Sequence, residues 1–177
     1  NTKMVINMLN PNQDGERACT AMLDFEDSMG PTWKNAISGI ENVIGVSKMN
    51  LTYEQPEAED SAPKVYKLNV TNMAHPMVRV RGLHLNEKNV RINDVAISAG
   101  LFDLATTAFH TAKNFLQSGK TPKFYVPKCE HYLEARWWNE IFRKIEDVLS
   151  LTSGTLKVTF LIETLPAAFQ MEEILFE

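Results

Sequence analysis

This sequence predicts an α/β fold: about five parallel strands alternating with crossover helices, with a β-hairpin inserted between two of the main elements. Three observations predict it. Short apolar runs alternate with longer segments whose apolar residues recur every three or four positions. Their order is strand, then four strand–helix pairs, which places the strands parallel with right-handed crossovers. The chain has 177 residues, 44% hydrophobic and 23% charged, enough for a core of ordinary globular composition.

Lys3 to Leu9 reads as the first strand, closed by the turn-rich Asn10-Pro11-Asn12-Gln13-Asp14-Gly15. Ala18 to Phe25 reads as the second, ending in the acidic run Asp24-Phe25-Glu26-Asp27-Ser28. Thr32 is the N-cap of a helix with Trp33, Ile37 and Ile40 on one face. Residues 46–72 read as an inserted β-hairpin subdomain, with strands Val46–Tyr53 and Lys64–Val70 and a mobile tip from Glu54 to Pro63. Met77 to Arg81 is the next core strand, and Val90, Ile92 and Val95 form a small surface strand after it.

Phe102 to Leu116 is a helix with Phe102, Ala105, Phe109, Ala112, Phe115 and Leu116 on its apolar stripe, stopped by Gly119. Lys123 to Val126 is a short strand closed by Pro127-Lys128. Glu134 to Leu149 is a second amphipathic helix carrying Trp137, Trp138, Ile141, Phe142, Ile145, Val148 and Leu149. Gly154 precedes the last strand, Thr155 to Glu163, and Pro166 opens a final helix containing Met171.

Composition excludes several functions. No apolar run approaches the roughly 18 residues of a membrane span, so no membrane partner is expected. A net charge of −4 with scattered basic residues gives no footprint for nucleic acid. Cys19 and Cys129 make no disulfide framework and suit a reducing compartment. Asn50-Leu51-Thr52 and Asn69-Val70-Thr71 match the glycosylation pattern, but no signal peptide accompanies them. No glycine-rich phosphate loop is present, and the four histidines show no metal-ligand spacing. Both ends, Asn1 and the helical Ile174-Leu175-Phe176-Glu177, read as cuts in a longer chain.

In parallel α/β folds, function collects at the carboxyl ends of the strands. There this sequence places Asp24, Glu26 and Asp27, then Arg79, Arg81 and His84, then Lys128, then Glu163. Carboxylates without a histidine or cysteine cluster favour a hard cation such as Mg²⁺. The acids after the second strand also suit the N-terminus of the following helix. Arg79 and Arg81 alternate with Val78 and Val80, which puts both on one strand face. They either pair with the Asp24–Asp27 group or bind a carboxylate or developing oxyanion. Glu163 lies on the strand face opposite Leu156, Val158, Phe160 and Ile162; it is either a site residue or a helix-capping acid before Pro166.

Several longer segments resemble the compact A-type malate synthases. They are Leu23-Asp24-Phe25-Glu26-Asp27-Ser28, Val78-Arg79-Val80-Arg81-Gly82-Leu83-His84-Leu85, Tyr125-Val126-Pro127-Lys128, Glu134-Ala135-Arg136-Trp137-Trp138-Asn139 and Leu161-Ile162-Glu163-Thr164-Leu165-Pro166-Ala167-Ala168-Phe169. The likeness runs across essentially the whole chain, in order. It implies an incomplete TIM (β/α) barrel forming a partial catalytic domain over residues 1–177. It also implies a Claisen condensation of acetyl-CoA with glyoxylate in the glyoxylate cycle, giving malate and CoA. By the same resemblance, Glu163 is a direct Mg²⁺ ligand and contacts substrate. Asp24 and Glu26 hold metal-bound waters. Arg79 contacts glyoxylate and stabilises the enolate, and Arg81 is supportive.

The family's second metal aspartate and its catalytic aspartate have no counterpart among these residues, so the 177-residue chain is expected to be inactive by itself. The eight strands of such a barrel, and its usual length of about 250 residues, exceed what is present. Citrate-lyase-like and malyl-CoA-lyase-like enzymes share the acidic strand end, the strand arginine and the strand-end glutamate, and are the alternative activity. A truncated non-catalytic relative is the second alternative. The resemblance implies a cytoplasmic or a peroxisomal (glyoxysomal) location, and leaves the oligomeric state open.

Overall fold

A computed structural model of the chain describes residues 1–56 and 63–177. The elements run α1 (Thr2–Leu9), β1 (Thr20–Asp24), α2 (Trp33–Ser47), β2 (Thr52–Gln55), β3 (Lys64–Lys67), β4 (His75–Arg79), β5 (Asn86–Ile92), β6 (Val95–Ser98), α3 (Ala99–Gln117), β7 (Lys123–Val126), α4 (Tyr132–Leu149), β8 (Lys157–Phe160), α5 (Leu165–Ala168) and α6 (Met171–Phe176). The main sheet has the order β1-β4-β7-β8, parallel throughout. Its outer edges do not meet, so the barrel is open.

The parallel sheet thus has four strands where about five are expected, because the first apolar run is helical. Val5, Ile6, Met8 and Leu9 fit a helix as well as a strand by spacing alone. The Asn1 side chain caps the Lys3 N–H, and Ile6 and Leu9, three apart, are completely buried while Met4 and Met8 face out. The Leu9 carbonyl then accepts from the Ala74 N–H, pinning α1 just ahead of β4.

Each remaining strand–helix pair appears as expected, with shifted ends. Thr32 caps α2 by accepting from Asn35, and that helix runs on through Val46 and Ser47, which the sequence reading gives to the hairpin. The hairpin itself pairs antiparallel from Thr52↔Lys67 to Gln55↔Lys64. Most of its expected tip, 57–62, lies outside the described residues. The expected single surface strand is a second hairpin, β5–β6, turning on Asn93 and Asp94 with φ of 49° and 62°. Two successive positive φ values are the backbone of the two-residue hairpin turn. The final helix is split into α5 and α6 at Phe169 and Gln170.

The core lies between the sheet and helices α2, α3 and α4. Leu23, Val78, Val80, Phe124 and Val126 meet Val43, Leu104, Ala108, Trp138 and Phe142. Helix α3 keeps part of the expected stripe: Ala112 and Phe115 are buried and Phe102 packs against the core, but Ala105 and Leu116 are exposed. Leu104 and Ala108 are also buried, whereas Phe109 is 63% exposed. Asp103, Thr107 and Thr111 share the buried side, and both threonines return their hydroxyls to carbonyls one turn back. Val148, on the expected apolar stripe of α4, faces outward, as does Met171 in the last helix.

Candidate active site

Sheet register brings the functional residues together. Asp24 lies beside Arg79, Arg79 beside Tyr125, and Tyr125 beside Thr159. The residues just past this line emerge from one end of the sheet: Glu26 and Asp27 after β1, Lys128 after β7, Glu163 after β8. The ladder continues slightly further, with the Phe25 N–H donating to the Arg79 carbonyl and the Val80 N–H to the Tyr125 carbonyl. Asp24, Glu26, Arg79 and Glu163 are therefore collected at one mouth, where sequence reasoning puts them.

Arg79 is the hub. Its guanidinium donates to Asp27 at 2.7 Å and to Glu26, and lies 3.5 Å from Asp24. The side chains of Arg79, Glu26 and Asp24 are almost wholly buried, while Asp27 is largely exposed. Burial pushes the Glu26 carboxyl above its ordinary range, against the pull of Arg79. The hydrogen bond from Arg79 holds Asp27 below its ordinary range. Burial works against the Arg79 charge, yet Asp27, Asp24 and Glu26 outweigh it and hold the guanidinium more firmly protonated. Asp24 also accepts from the Glu26 N–H at 2.8 Å and from the Ser28 hydroxyl at 2.9 Å, which folds the acidic run into a tight turn.

Glu163 forms the other half. One oxygen accepts from the Lys128 N–H at 2.9 Å, the other from the Lys128 ammonium at 3.3 Å. The same ammonium lies 3.8 Å from Asp27, which joins the two halves. The hydrogen bond to Glu163 raises the Lys128 pKa. Glu163 is not a helix cap: that role belongs to Thr164, whose hydroxyl accepts from the Ala167 N–H.

Arg81 departs from the expected arrangement. It does not share the Arg79 cluster, because β4 ends at Arg79 and the chain turns. Its guanidinium is bound by Asp103 at 2.7 and 2.9 Å and by Glu87 at 2.9 Å, all three side chains buried. The Arg81 N–H also donates to Asp103 at 3.0 Å. Gly100 lies so close to the Arg81 carbonyl that a Cβ there would strike it. The next residue, Gly82, leaves room for the His84 ring, and a Cβ on it would sit 3.3 Å from Glu26 Oε1. Sequence reasoning gave Lys128 no role and missed Asp103 and Glu87. Asp103 carried a readable signal, being an acid in register with Thr107 and Thr111 along an apolar helix.

Two polar atoms in the cluster are buried and have no partner among the described residues: Glu26 Oε1, an acceptor, and Arg79 Nε, a donor. Buried polar groups are nearly always satisfied, so an orphaned pair marks a place for a polar ligand or water. No three His, Cys, Asp or Glu side chains among the described residues converge as a ready-made metal cage. Magnesium is commonly held by one or two carboxylates, the rest of its shell being water and substrate, so the carboxylate oxygens of this mouth, one of them a spare buried acceptor, fit it.

Comparison with known proteins bears on the family. The family model "Malate synthase, TIM barrel domain" matches residues 76–177. Malate synthase A of Escherichia coli is 44% identical over 173 residues, covering 98% of this chain. The glyoxysomal malate synthase of Candida tropicalis is 42% identical over 178 residues, covering 99% of it. A malate synthase of Myxococcus xanthus is 42% identical over 175 residues. The chain spans about 30% of the length of each of these relatives. No helix among the described residues is long and apolar enough to cross a membrane.

Proposed function

The chain belongs to the malate synthase family, and on that premise we propose that it supplies the glyoxylate- and magnesium-binding half of an enzyme condensing acetyl-CoA with glyoxylate to form malate and CoA. The observation that carries this is the two orphaned atoms, Arg79 Nε and Glu26 Oε1, both buried and without a partner among the described residues in an otherwise paired cluster.

Arg79 is held by three carboxylates, so its guanidinium keeps its charge and its place without help from a ligand. Its free Nε–H is then a donor for a glyoxylate oxygen, and for the oxyanion that develops when the acetyl group becomes an enolate. Glu163 would hold Mg²⁺ directly, with Asp24 and Glu26 acting through bound water. Bound there, Mg²⁺ would polarise the glyoxylate carbonyl and offset its carboxylate charge. The aspartate that the family likeness assigns as general base is not among these residues, so the 177-residue chain alone forms no malate. Measurable malate from it would overturn that.

The test is a chimera in which this chain replaces the matching segment of the Escherichia coli relative. With acetyl-CoA and glyoxylate it should release free CoA thiol and malate. Arg79→Met should lower the rate by about 10²–10³, the usual cost of removing one oxyanion donor. Cleavage of malyl-CoA to acetyl-CoA and glyoxylate, without free thiol, would refute the condensing reading in favour of a lyase.

A further inference from the structure

We propose that Lys128 is the site's resident counter-cation: its ammonium neutralises Glu163 and Asp27 until a divalent cation takes Glu163, and so it sets how tightly the cluster binds that cation. This rests on the magnesium-binding reading given above.

The geometry is specific to one residue. Lys128 follows β7 with φ of 56°, a left-handed conformation that a non-glycine residue adopts at a cost. In that conformation its N–H and its ammonium both reach Glu163, one to each carboxylate oxygen. The ammonium also lies 3.8 Å from Asp27. Glu163 follows β8 and Asp27 follows β1, the two outer strands of the sheet, so Lys128 bridges the full width of the mouth.

Charge explains why a bridge is needed. With every group ionised, Asp24, Glu26, Asp27 and Glu163 face Arg79 and Lys128, leaving a net charge of −2. One dication matches that charge. The two resident cations differ in freedom. Arg79 is buried and tied to three carboxylates, whereas the Lys128 side chain is 35% exposed on a flexible stem and can withdraw into water. If it withdraws, the backbone N–H still fixes one oxygen of Glu163, leaving the other for the incoming ion. The unpartnered, buried Glu26 Oε1 is the second acceptor the cluster offers.

The experiment is calorimetric titration with Mn²⁺ of the chimera described above, carrying this chain as wild type, Lys128→Met or Lys128→Arg, each shown folded by circular dichroism. Lys128→Met should bind about tenfold more tightly, because the ion no longer has to displace an ammonium 3.3 Å from Glu163, an attraction worth about that factor even at the dielectric constant of water. Lys128→Arg, which keeps the charge, should bind like wild type. Wild-type binding with no gain in Lys128→Met overturns the proposal and leaves the magnesium reading standing. No binding by any of the three chains overturns both.

Discussion

Asp103→Ala should be among the most damaging substitutions in this chain. Asp103 is completely buried and accepts three hydrogen bonds from Arg81, two from the guanidinium and one from the backbone N–H. Its loss leaves the buried Arg81 with Glu87 as its remaining carboxylate. Breaking a buried ion pair from one side costs about 3–5 kcal/mol, since the surviving charge stays desolvated. At roughly 2–4 °C per kcal/mol for a chain of this size, Tm should fall by about 6–20 °C. Urea unfolding should show the loss as a lower midpoint with unchanged slope. The pair itself is not expected to be worth that much. Burial holds the Asp103 carboxyl above its ordinary range even with Arg81 beside it, so desolvation outweighs attraction. The triple variant Arg81→Met, Glu87→Met, Asp103→Leu should therefore recover most of the stability lost in Asp103→Ala. A single variant costing under about 1 kcal/mol would refute the reasoning, as would a triple variant no better than the single.

Two further outcomes follow from the same structure. The His75 imidazole donates from Nε2 to the Thr121 carbonyl at 2.7 Å, and burial lowers its pKa below the ordinary 6.5. The stability it contributes is thus present above pH 6.5 and lost as pH falls through the folded value, because the unfolded chain takes up the proton first. His75→Gln should flatten the decline of the urea midpoint between about pH 7 and 5, and an unchanged decline would exclude His75 as its source. The outer edges of β1 and β8 have no strand partner among the described residues, and Leu165, Phe169, Leu175 and Phe176 are strongly exposed. Made alone, the chain should self-associate in sedimentation velocity, whereas a monodisperse, cooperatively melting monomer would show that these edges are protected.

Much of the fold was legible because alternation of strand and helix is a global pattern that survives local misreading. Thr32, Gly119, Lys123–Val126 and Pro166 all sit where cap, stop and turn chemistry place them. Errors arose where two periods fit the same residues. Val5 to Leu9 satisfies strand and helix alike, and only the Asn1 cap and the tertiary docking of Ile6 and Leu9 decide it. The stripe of α3 went partly wrong for a related reason. Phe109 is more apolar than Thr107 or Thr111, yet the threonines take the buried side because their hydroxyls are satisfied within the helix and they fit beside Asp103.

The site was legible in its members and not in its pairings. Parallel strands deliver their carboxyl ends to one mouth, so Asp24, Glu26, Arg79 and Glu163 could be gathered from topology alone. Which cation meets which carboxylate depends on where each strand stops. β4 stops at Arg79, and that single boundary sends Arg79 to the β1 acids and Arg81 to Asp103 on α3. Alternation would have kept the two arginines together. Their separation divides the labour: Arg81 anchors the turn from inside, and Arg79 is left at the mouth with a donor, Nε, that no carboxylate among the described residues takes up.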